Sequence, residues 1–164
     1  MLSQNPCKPI LLVDVDGVIS LFGFTSSDRP AGTWVIVDGS PHLISSAAAE
    51  HLQTLSNEFD LVWCTGWEEK ANEYLPGLLG LPAELPFLSF DLNPGRGHAH
   101  WKLAAIEAYA GPDRALAWVD DALNDACRTW AGARAAPTLL VETRPEVGLG
   151  AADVARLTGW AQAL

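Results

Sequence analysis

Cysteine is scarce and poorly spaced for chemistry. Cys7, Cys64 and Cys127 lie far apart, and none belongs to a C-x-x-C pair. This excludes a disulfide framework and a zinc site of ordinary spacing. Cys64, inside an apolar run, reads as a small buried hydrophobe. Positive charge is also in short supply: ten Lys and Arg against twenty Asp and Glu give a net charge of -10. An acidic chain is a poor match for long, non-specific contact with a nucleic-acid backbone. Recognition of one strand end remains open, and part of the charge fits a metal site read without its metal. No apolar run is long enough to cross a bilayer, so no membrane partner is expected. Residues 1–6 lack the basic and apolar parts of a secretory signal, and a cytoplasmic protein is the expectation. Internal repeats and low-complexity segments are absent. So is G-x-x-x-x-G-K-[ST], which excludes P-loop nucleotide hydrolysis, and residues 93–97 do not form a dinucleotide fingerprint.

What is present is apolar enough to fold. The chain is 49% hydrophobic over 164 residues, which suits one domain, 1–164, with a sizeable core. Apolar runs alternate with longer amphipathic segments, the pattern of a parallel sheet flanked by helices. Strands are expected at 10–13, 61–64, 87–90, 115–119 and 138–141. Helices are expected from Ser40-Pro41, read as an N-cap and first helical proline, to about Leu55, then at 68–75, 100–110, 122–131 and 151–163. The segment 19–37 breaks the alternation and reads as a β-hairpin flap over the same sheet edge as the first strand end.

The most informative residues are Asp14-Val15-Asp16-Gly17, directly after Ile10-Leu11-Leu12-Val13. A buried strand ending in a glycine turn delivers two carboxylates to the carboxyl edge of the sheet, where open α/β folds bind ligands. A calcium loop is excluded, because Val18 and Thr25 stand where it needs ligands. Other strand ends add Thr65-Gly66 and Asp120-Asp121, and Lys102 opens the helix before the latter strand. Taken singly, these residues are an N-cap, a surface lysine and a helix cap; jointly they form a site. Each close carboxylate pair at ~4 Å costs on the order of 4 kcal/mol at an effective dielectric near 20. Protonation or a divalent cation relieves that cost, and an all-oxygen set favours Mg²⁺ over Zn²⁺. Carboxylates, one lysine and a hydroxyl at helix starts suit a phosphate, and a carboxylate can carry it as an aspartyl-phosphate.

This set resembles the haloacid dehalogenase (HAD) superfamily of phosphohydrolases. Asp14-Val15-Asp16-Gly17-Val18 resembles its first motif, Thr65 its second, Lys102 its third and Asp120-Asp121 its acidic fourth. The resemblance implies a Rossmann-like, three-layer α/β domain with a mostly parallel five-stranded sheet, the first strand central with the fourth and second beside it. It implies Asp14 as nucleophile and metal ligand. Asp16 would be general acid/base, with its backbone carbonyl on the metal. Thr65 and the backbone at Gly66 would bind the phosphoryl group, and Lys102 would neutralise nucleophile and phosphate. Asp120 and Asp121 would hold Mg²⁺, with Asp125 as fallback ligand. The small inserts resemble the capless group, whose open cleft admits large substrates. Residues 59–68, His100-Trp101-Lys102, Trp118-Val119-Asp120-Asp121 and Val147-Gly148-Leu149 are similar to HAD domains associated with RNA-repair proteins, which implies a phosphatase acting on polynucleotide ends. A small-molecule phosphomonoester, a phosphotransferase and a non-hydrolytic phosphate-sensing module are the alternatives. Trp67 and Trp101 read equally as core or as substrate-stacking residues at the cleft rim. Arg96, His98, His100 and Arg144 are further phosphate-facing candidates.

Overall fold

A computed structural model describes residues 7–90 and 100–164. Arg96 and His98 therefore lie outside the described residues. Four parallel strands form the central sheet: β1 (Ile10–Val13), β5 (Asp60–Trp63), β6 (Leu116–Asp120) and β7 (Thr138–Glu142). Their order is β5-β1-β6-β7, so β1 is flanked by β5 and β6, as expected. The helices are α1 (Ser46–Leu55), α2 (Lys70–Leu79), α3 (Leu103–Ala110), α4 (Asp125–Ala133) and α5 (Ala151–Gln162).

The two-residue period of a strand explains the three layers. Leu11 and Val13 of β1 point to one face, where they join Leu52, Leu75 and Leu157 of α1, α2 and α5. Ile10 and Leu12 point to the other, among Ile106 and Cys127 of α3 and α4. Both faces of β1 are buried, which is why its sequence is apolar without alternation. No helix among the described residues is long and apolar enough to cross a membrane.

The fifth expected strand does not form. Around Phe87 there is one parallel bridge to Trp63, closed by Trp63 N–H to the Pro86 carbonyl and Leu88 N–H to the Trp63 carbonyl. Side chains take the neighbouring backbone groups instead. Asn72 accepts from Leu85 N–H and donates to its carbonyl, and Glu68 accepts from Phe90 N–H. These captured groups are not available to extend the ladder.

The flap is larger than expected and built differently. It is a three-stranded antiparallel sheet, β2-β4-β3, of β2 (Ser20–Leu21), β3 (Gly32–Val37) and β4 (Ser40–Ser45). Ser40-Pro41 thus opens a strand and not a helix. Asp38 and Gly39 both have positive φ, 49° and 82°, and close a two-residue hairpin between β3 and β4. Pro41 is tolerated because β2 pairs only with Leu43 and Ile44, leaving that part of β4 one neighbour. The true N-cap of α1 is Ser45, whose Oγ accepts from Ala48 N–H at 3.1 Å. At α2, Pro76-Gly77 does not stop the helix as expected. The helix ends at Gly80, where φ is 64° and Leu81 N–H returns to the Pro76 carbonyl.

Candidate functional site

Parallel register brings the acidic strand ends level. Val13 pairs with Val119, and Asp14 N–H donates to the Val119 carbonyl at 3.1 Å. Asp14 therefore sits beside Asp120, although 106 positions apart in sequence. After Asp14 the chain wraps around one acceptor: the Val15 carbonyl takes N–H bonds from Val18, Ile19 and Ser20. Gly17, at φ +78°, makes this turn possible. A Cβ there would lie 2.3 Å from Asp121 Oδ2, so the glycine is also what lets Asp121 approach the first strand end.

Lys102 ties the two strands together. It sits just before α3, is buried, and reaches Asp120 Oδ2 at 2.6 Å and Asp14 Oδ1 at 3.1 Å. Asp120 is held from three directions. Oδ2 also accepts Trp118 Nε1–H at 3.2 Å, and Oδ1 accepts Ala122 N–H at 2.9 Å. His100 braces the backbone at Lys102. Its Nδ1 accepts Lys102 N–H at 3.3 Å, which leaves Nε2 to donate to the Ala122 carbonyl at 3.1 Å.

Electrostatics follow from this crowding. Burial pushes the Asp14 carboxyl up to about 7; the Lys102 ammonium opposes that rise and the Asp120 charge adds to it. Burial acts against the charge of Lys102, but Asp14 and Asp120 outweigh it and raise its pKa. Asp121 is raised by burial and then by Asp120. One oxygen each from Asp14, Asp120 and Asp121 lie within 4.8 Å of one another. Three carboxylates against one ammonium form a site of net negative charge, and hard oxygen donors fit a divalent cation. Asp125 is elsewhere: its side chain is fully exposed and pairs with Arg128. The fallback ligand of the sequence reading is not part of the cluster.

A cavity of about 240 Å³ opens over this group, lined among others by Asp14, Asp16, Gly66, Trp101, Lys102 and Asp121. Thr65 is buried two residues past β5, and its hydroxyl accepts Trp67 N–H at 3.2 Å. Asp16 is about half exposed and stands apart from the carboxylate cluster. Trp101 is 47% exposed at the cavity wall, with the Lys102 ammonium 5.1 Å from its ring centroid. Arg144 points elsewhere, onto Glu146. A larger cavity, about 440 Å³, is lined by Glu107, Trp130 and Arg134 and lies at the far sheet edge. Arg134 spends its donors there on the carbonyls of Gly111 and Arg114 and on Thr138, which makes those walls structural.

Several contributors were not read as site residues in the sequence. Trp118 is two residues before Asp120, so strand alternation alone places both on one face. Thr143, one residue past β7, donates its hydroxyl to the Gly17 carbonyl at 2.8 Å and braces the turn. His42 comes from a segment read as helix, which hid its approach to Asp16. No family model matches this sequence, and no curated protein is significantly similar to it.

Proposed function

We propose that this protein is a Mg²⁺-dependent phosphomonoester hydrolase of the HAD type, working through an aspartyl-phosphate on Asp14. The observation that carries the reading is the buried bridge Asp14–Lys102–Asp120, with Asp121 beside it, at the carboxyl edge of a parallel sheet. An ion pair needed only for folding has no reason to set a third carboxylate beside the two that Lys102 already bridges, because the surplus charge destabilises the fold. Asp14, Asp120 and Asp121 would supply hard oxygen donors of the kind Mg²⁺ takes, and the resemblance adds the Asp16 carbonyl to them. When bound, the ion would offset that charge and polarise the phosphoryl oxygens.

The residues divide the chemistry as follows. Asp14 attacks phosphorus, forming an O–P bond as the bond to the leaving oxygen breaks. Lys102 holds Asp14 ionised and draws the phosphoryl charge. The Thr65 hydroxyl keeps a proton free to donate, because its oxygen already accepts from Trp67 N–H. Asp16, outside the buried cluster, has the solvent access that a general acid needs to exchange its proton with water. It protonates the leaving oxygen and then takes a proton from the water that releases phosphate. The exposed Trp101 ring at the cavity wall favours a substrate with an aromatic face beyond its phosphate, such as a nucleotide at a polynucleotide end.

A phosphate-release screen tests the reading. It should include 3′- and 5′-phosphorylated oligonucleotides, nucleotides and sugar phosphates, each with Mg²⁺ and with chelator. Turnover should require Mg²⁺ and fall at least about a thousandfold in Asp14→Asn. Full activity in Asp14→Asn would overturn the assignment of the nucleophile.

A further inference from the structure

We propose that Trp67 is a positioning residue that orients the Asp16 carboxyl for proton transfer, with His42 holding the Trp67 ring in place. The proposal rests on the hydrolase reading above. Asp16 stands on a turn and is about half exposed, so its rotamer is not set by burial. One contact sets it instead: Trp67 Nε1–H donates to Asp16 Oδ2 at 3.1 Å. The other oxygen, Oδ1, is 3.7 Å from His42 Nδ1, too far for a hydrogen bond. The two carboxylate oxygens are therefore inequivalent.

The neighbours form a relay of contacts. The His42 ring meets the Trp67 ring edge-on, with centroids 4.9 Å apart and planes at 73°. His42 Nδ1 lies 2.9 Å from Ser20 Oγ, so the imidazole is fixed in turn by a buried residue of β2. Trp67 follows Thr65 and Gly66 at the end of β5, and its ring packs against the core. The small antiparallel sheet and the second strand end thus meet at Asp16.

The chemistry explains why that matters. An indole N–H is a donor and never an acceptor. An unprotonated Oδ2 is the stronger acceptor for that N–H, so the contact favours the proton on Oδ1. In the forward step the Oδ1–H bond breaks and the proton moves to the leaving oxygen. The P–O bond to that oxygen breaks as Asp14 bonds to phosphorus. The electron pair of the O–H bond stays on Asp16, where Oδ2 already has a charge-assisted bond from Trp67. The reverse proton movement, from water to Asp16, restores the acid.

The experiment is a leaving-group series. kcat/KM is measured for aryl and alkyl phosphates of increasing leaving-group basicity, in wild type, Trp67→Phe and Asp16→Asn. kcat/KM covers only the steps through phosphorylation of Asp14, where Asp16 acts as acid. Trp67→Phe keeps the aromatic packing and deletes the donor. Alkyl phosphates, which need the acid, should lose at least about tenfold more activity than 4-nitrophenyl phosphate, which hardly needs it. The slope against leaving-group basicity should steepen towards that of Asp16→Asn. A uniform loss across the series, as a structural role would give, or no loss at all, overturns the proposal. A wild type inactive on every ester removes the hydrolase reading and this proposal with it; an active wild type with an unchanged slope in Trp67→Phe removes this proposal alone. The Trp67 indole N–H resonance supplies a readout independent of turnover. It should shift in Asp16→Asn, and an unmoved resonance counts against the contact.

Discussion

Replacing Lys102 by methionine keeps the aliphatic stem and deletes the charge that lies between two buried carboxylates. The ammonium is 3.1 Å from Asp14 Oδ1 and 2.6 Å from Asp120 Oδ2. At an effective dielectric of ~20 each contact is worth roughly 5–6 kcal/mol before desolvation. Burial of the ions takes back much of this, and removing one partner of a buried pair typically costs about 3–5 kcal/mol. The cost should depend on pH in a defined direction. Asp14 already titrates at about 7, and Lys102 is among the groups that hold it down. Without Lys102 it rises further. A carboxyl raised in the folded state contributes stability that is fully present below its unfolded value and is lost as pH rises through the folded value. In the metal-free variant, Asp14 is therefore comfortable as a neutral acid at pH 5 and penalised at pH 8. Urea unfolding of wild type and Lys102→Met, without divalent ions, should give a deficit of about 3–5 kcal/mol at pH 8 and half of that or less at pH 5. An equal deficit at both pH values would refute the coupling of Lys102 to Asp14.

Gly17→Ala should push Asp121 away, since the new Cβ would fall 2.3 Å from its Oδ2 at φ +78°. Calorimetric Mg²⁺ affinity should drop at least about tenfold while stability falls by only about 1–2 kcal/mol; unchanged affinity would remove Asp121 from the metal site. Thr143→Val strips the buried Gly17 carbonyl of its donor, and urea melts should show a loss of about 1–3 kcal/mol. A loss near zero would mean the turn does not depend on this brace. Mg²⁺ binding should release about one proton at pH 6 and almost none at pH 8.5, because Asp14 must ionise to become a ligand. Titration calorimetry in buffers of different ionisation enthalpy measures this directly, and equal release at both pH values contradicts the raised Asp14.

The parts of the fold legible in the sequence are those where one local signal has one structural meaning. Ile10–Val13 is apolar at every position because both its faces are covered, and its strand limits match those read from sequence. The meeting of Asp14, Asp120 and Lys102 was legible because strand ends of a parallel sheet share one edge. Where two local signals compete, the tertiary partner decides. Ser40-Pro41 carries a helix-start signal, but the Asp38-Gly39 turn pairs this segment with β3 and makes it a strand. Residues 87–90 have strand composition, yet Asn72 and Glu68 capture the flanking backbone groups. Contacts such as Trp67 to Asp16, across 51 positions, have no sequence spacing from which to be read.

The central claim is covalent chemistry at Asp14. The most direct measurement is an acid quench during turnover of a phosphomonoester with Mg²⁺, followed by borohydride reduction and peptide mass spectrometry. An aspartyl-phosphate predicts homoserine at position 14 in wild type, and none in Asp14→Asn or in enzyme quenched before substrate is added. Sustained phosphate release with Asp14 never reduced, and with activity preserved in Asp14→Asn, would contradict the account.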